Sequence, residues 1–144
     1  MTITEELCTL LDELGVGTYD PDGLGGTIYG TTLPDSPDTA LAVALYGTGA
    51  DASAAEPVDA VRIQLRARGT AADSRTGERL AQAAYDALNG LGYRHLTPGG
   101  TWLQLAYAHG GGPGYIGRDQ TGRHEWTANL TLELERPTAN RPGY

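Results

Sequence analysis

Across residues 61–91 the spacing of apolar positions changes once, from a period of two to a helical one. Val61, Ile63, Leu65 and Ala67 alternate with Arg62, Gln64, Arg66 and Arg68, which predicts a strand with one dry and one charged face. After Gly69, Leu80, Ala84, Leu88 and Leu91 recur every three or four residues. Ala83 and Ala87 widen that stripe, and Arg75, Arg79, Gln82 and Asp86 are left to solvent. A strand is thus delivered directly into an amphipathic helix.

At the N-terminus Thr2 is placed to cap a first helix, with Glu5 three residues on as in a capping box. Ile3, Leu7, Leu10, Leu11 and Leu14 form its apolar stripe, and Gly15 and Gly17 end it. Asp20, Pro21, Asp22 and Gly23 carry turn chemistry, since proline presets one dihedral and glycine accepts a positive one. A short strand is expected over 27–30 and a mostly buried one over 39–46. Between them Pro34 and Pro37 withdraw their donors, so residues 33–38 lie outside a sheet. Residues 47–57 are small and polar and predict a surface loop, with Gly47 and Asp51 as candidate partner-binding positions.

Gly90 and Gly92 stop the second helix, and Trp102 opens a strand over 101–108. Residues 109–117 form a glycine-rich segment expected to be a loop, with Gly111, Gly112 and Tyr115 as further candidate partner-binding positions. After a turn at 119–122, Trp126, Ala128, Leu130, Leu132 and Leu134 alternate with Thr127, Asn129, Thr131, Glu133 and Glu135 in a long strand over 123–136. The fold class is therefore α+β: two layers, a mostly antiparallel sheet of about four to five strands packed by two amphipathic helices. One assembly domain over 1–136 is followed by an extended tail, 137–144, without core-forming residues.

Composition narrows the function. The chain has 144 residues, enough for one core that buries roughly two-thirds of its unfolded surface. Its single cysteine, Cys8, excludes an internal disulfide framework and is expected to be a small buried side chain. The acidic N-terminus and the lack of a long apolar run predict a protein that begins in a cytoplasm, with no membrane partner. The net charge is −8 and all ten basic residues are arginine, which argues against general nucleic-acid binding.

Reaction chemistry is not legible. Residues 112–117, GPGYIG, have the spacing of a dinucleotide-binding glycine motif, but a turn follows where a helix is required. His95, His109 and His124 lack metal-ligand spacing, although His109 and His124 could meet across a hairpin. Asp20, Asp22 and Gly23 lack the remaining ligands of a calcium loop, and Asn129 lies within a predicted strand rather than a glycosylated loop. No catalytic residue, cofactor site or metal site is expected. Arg62, Arg66 and Arg68 on one strand and Glu133 and Glu135 on another allow two readings. They pair or are solvated within one subunit, or they form complementary interface faces on neighbouring copies.

The helix followed by TYDPDG, the VRIQLRARG strand with the ERLAQAAYDALNGL helix, TWLQLAYA, and GYIGRDQTGRHEWTANLTLELERP together resemble one family over nearly the whole chain. It is the bacteriophage tail terminator or tail completion family, commonly described as minor capsid proteins in actinobacterial phages and prophages. The resemblance implies a non-enzymatic structural protein of the virion neck, assembled in the host cytoplasm. It implies a ring, a hexamer, that caps the tail-tube protein and presents a joint to the head connector or adaptor. DNA would only pass through, contacted non-specifically. A head-closure component is the neighbouring alternative, and a nucleotide-binding enzyme using the glycine segment a distant one.

Overall fold

The computed structural model describes residues 1–23, 25–47 and 52–143. In chain order the elements are α1 (Ile3–Glu13), β1 (Ile28–Gly30), β2 (Ala40–Leu45), β3 (Val58–Arg68), α2 (Ser74–Leu88), β4 (Gly92–His95), β5 (Trp102–Arg118) and β6 (His124–Glu135). The strands form one mixed sheet in the order β1-β2-β3-β6-β5-β4. Only β1 and β2 pair in parallel; the other neighbours are antiparallel.

Both helices cover the same face. Leu7, Leu10 and Leu11 of α1 and Ala81, Ala84 and Leu88 of α2 share one buried cluster with Leu41, Ile63, Leu65, Leu103, Leu130 and Leu132 from the sheet. The long β3–β6 ladder sets the register, with Ile63 opposite Leu130 and Leu65 opposite Ala128 on the dry side. A one-residue slip would turn that entire set outward, so burial fixes the pairing.

Local chemistry explains the element boundaries. The Thr2 hydroxyl accepts from the Glu5 N–H and donates to the Glu5 carboxylate, so the expected N-terminal cap forms. Asp73 caps α2 by accepting from the Arg75 N–H. Gly69 and Gly77 then let α2 approach the sheet closely: a Cβ on Gly69 would run into the Thr76 hydroxyl and the Gly77 nitrogen. The buried line of α2 is Gly77, Ala81, Ala84 and Leu88, while Ala83 is exposed. The stripe is thus rotated from the sequence expectation, because the smallest side chains face the backbone of the sheet.

Two expectations are corrected. The sheet has six strands rather than four to five, because Gly92–His95 adds an edge strand opposite Leu103 and Leu105. Its four residues lack an apolar alternation, and Tyr93 sits at φ 54°. Second, residues 109–117 are not a loop. β5 continues through them, absorbing register shifts against β6 between His109 and Gly114 and between Tyr115 and Gly117. Gly110, Gly112 and Gly117 take positive φ there, so the glycines shape bulges. After β6, residues 137–143 form no helix or strand, and Arg141 is bonded back to Asp59.

Candidate assembly surface

The sheet face opposite the helices carries no second layer. Across it, at one level, stand Tyr46, whose N–H donates to the Arg62 carbonyl, then Arg62, Thr131 opposite it, and Tyr107 opposite Thr131. One step along, Glu133 lies opposite both Ala60 and Leu105. The two glutamates and three arginines singled out from sequence therefore do share one face, the uncovered one, but they do not pair with one another.

Arg66 bonds instead to Glu125 at 2.5 Å, with the Glu125 side chain only 7% exposed. Arg68 is 3% exposed. Its guanidinium donates to the carbonyls of Asp38 at 2.9 Å, Pro34 at 2.6 Å and Pro37 at 2.7 Å. Arg68 is therefore a buried internal brace and not a surface residue of this subunit. Glu135 accepts from the Gln104 amide at 3.1 Å. Among the described residues, Arg62 and Glu133 make no ion pair.

At one end of this face the charges lock two loops together. Arg123 donates to Asp119 at 2.8 Å and to the Asp35 carbonyl, and reaches Asp38 at 3.3 Å. Desolvation works to raise the Asp119 pKa. The Arg123 N–H, Thr121 and the Arg123 guanidinium outweigh it and hold the carboxyl at about 2. With Arg68, this fastens the segment between β1 and β2 to the turn between β5 and β6. Asp35, Arg68, Asp119, Thr121 and Arg123 line a small polar cleft of about 320 Å³.

The remaining candidates separate. Asp51 lies outside the described residues, and Gly47, two residues past the end of β2, sits at φ 38°. Gly111 and Gly112 belong to the β5 bulge, and Tyr115, 48% exposed, donates to or accepts from His124 Nδ1 at 2.8 Å. His109 bonds to Thr131 and pairs with Asn129, whereas His124 pairs with Arg118, so the hairpin does not bring the two histidines together. Residues 112–117 lie in a strand, and no helix follows them to present its N-terminus to a phosphate. Among the described residues no cluster of His, Cys, Asp or Glu is arranged to hold a metal, and no helix is long and apolar enough to cross a membrane. Cys8 is fully buried, and burial, with the Glu5 charge adding to it, pushes its thiol up to about 12.

Two features had no sequence signal. Glu6, on the buried side of α1 and 4% exposed, accepts from Thr97, from the Thr101 N–H and from the Thr101 hydroxyl. It floors a cleft of about 800 Å³ that also meets Trp102 and Pro137. Arg141 donates to both Asp59 oxygens at 3.0 Å and to the carbonyls of Ser53 and Glu56. That bonding, against a smaller opposing desolvation, lowers the Asp59 pKa. Both arrangements join positions far apart in the chain, which periodicity cannot register.

The geometry describes a folded scaffold with one uncovered, charge-patterned sheet face and no assembled reaction centre among its described residues. A search of the curated proteins finds no match. A family model of bacteriophage tail terminator proteins matches residues 10–136, from within α1 to just past β6, and takes in every strand and all of α2. With that share of its length matched, the chain belongs to the bacteriophage tail terminator protein family, and is a structural component of the phage tail and so of the virion.

Proposed function

We propose that this protein assembles into a ring, a hexamer, that caps the tail tube, stops its polymerisation and offers the joint for the head connector. It acts without catalysis. The observation that carries this reading is the family match over residues 10–136. The uncovered sheet face supports it, because a six-stranded sheet with helices on one side only leaves a broad surface for another protein. The net charge of −8 suits a ring through which DNA passes without being gripped.

Mass measurement of the purified chain, alone and with tail-tube protein, tests the proposal. The expected result is a discrete ring, together with tubes that stop growing once the ring is added. A strict monomer that ignores the tube and neither caps nor shortens it would refute the terminator role.

A further inference from the structure

We propose that the cleft between the segment 31–38 and the β5–β6 turn is a docking site for one carboxylate side chain, aspartate or glutamate, of a partner protein. The partner rests on the assembly reading above, whereas the cleft itself stands on geometry.

Three guanidinium groups, those of Arg66, Arg68 and Arg123, share this cleft of about 320 Å³. Two of them already hold a carboxylate: Arg66 that of Glu125 and Arg123 that of Asp119. Arg68 is 3% exposed and makes no ion pair among the described residues. Its Nε and Nη2 donate to three carbonyls, and its Nη1 is left without a described acceptor. Among the described residues no side-chain polar atom is both buried and unpaired, so Nη1 keeps access to solvent, and the cleft that Arg68 lines supplies it. A cation held only by neutral carbonyls is costly to bury, and the lowered Arg68 pKa, set by burial and by the Arg123 charge, records that cost. An incoming carboxylate would bring the missing counter-charge.

A second observation comes from the opposite wall. Thr31, a β-branched residue, sits at φ 71°, in the left-handed region that such side chains rarely adopt. Strain of this kind persists where the surrounding structure imposes it, and it collects at binding sites. Thr31 and Thr32 are both exposed and both line the cleft. Their N–H groups are spent on the Val43 and Gly30 carbonyls, which leaves the two hydroxyls as donors. A guanidinium nitrogen on one wall and hydroxyls on the other suit the two oxygens of a carboxylate. The charge balance favours a single carboxylate over a nucleic-acid backbone. One cation is unspent, while Asp35 lines the cleft and the Asp38 side chain, beside Arg123, is 63% exposed. Successive phosphates would meet both, on a chain of net charge −8.

Sodium acetate at neutral pH is the probe, titrated into the isotope-labelled full chain against sodium chloride at matched ionic strength. The Nε–H signals of the three arginines and the Thr31 and Thr32 amides should move saturably with acetate and not with chloride. Thr31→Gly removes one hydroxyl and relieves the left-handed strain, so acetate should bind about fivefold more weakly while the thermal midpoint holds or rises. If that chain does not fold, Thr32→Val is read in its place, with the same weakening expected. Acetate should also weaken association with further copies or with tail-tube protein, relative to chloride at equal ionic strength.

No saturable shift, or an affinity unchanged in both variants, overturns the cleft as a carboxylate site. A short DNA duplex that moves the same signals at lower concentration than acetate overturns it in favour of phosphate. Acetate that fills the cleft while assembly proceeds unchanged overturns the partner-protein source and leaves a free small acid as the ligand. A chain that assembles with nothing refutes the ring reading and the partner with it, in a readout separate from the acetate shifts.

Discussion

At the scale of single residues, three arginines with the same alternation along one strand take three different fates. Arg62 makes no ion pair among the described residues, Arg66 is bonded to Glu125, and Arg68 is buried beneath the segment 34–38. The alternation places all three on one face, because successive strand residues point to opposite sides. It says nothing of what covers that face at each level. Burial and the neighbouring Arg123 charge push the Arg68 pKa down, and the charges of Asp119, Glu125 and Asp38 oppose them. Arg68→Met fills the space but leaves the carbonyls of Pro34, Pro37 and Asp38 without their donor. We expect it to cost about 2–4 kcal/mol of stability, measured as a lower denaturant midpoint at unchanged slope. Glu6 makes the same point on α1: its position is visible from the helical period, but its Thr97 and Thr101 partners lie on the other side of the chain.

At the scale of elements, the junction of β3 and α2 depends on glycine in a way that composition obscures. The chain has 21 glycines, so no single one draws notice. Gly69 has no room for a Cβ because Thr76 and Gly77 crowd it, whereas around Gly111 nothing lies within 4 Å of the added atom. Gly69→Ala should therefore push α2 from the sheet and cost about 1–3 kcal/mol. Gly111→Ala should leave the thermal midpoint unchanged or slightly raised, since it only removes freedom from the unfolded chain. Thermal unfolding of the two variants side by side checks both. Helices α1 and α2 and strands β2, β3 and β6 were legible from periodicity, within a few residues at their ends. β4 and the outer half of β5 were not, because glycine-rich segments there become strands only through pairing with a neighbour already in place.

At the scale of the whole molecule, the C-terminal segment closes what sequence leaves open. Arg141 bonds to Asp59 and to the carbonyls of Ser53 and Glu56, joining the end of the chain to the entry of β3. A chain ending at residue 136 should lose about 1–3 kcal/mol of stability. It should also be cut faster by protease near residues 53–57, as peptide mapping of early fragments would reveal. The sequence by itself determined the α+β class, the two helices, the dry and wet faces of the long strands and the family, because these depend on local period and on order along the chain. Only the tertiary structure decided which margin β4 joins, that the glycine segment is strand, and which charges are spent internally. Those outcomes depend on groups brought together from distant positions, which no local period along the chain records.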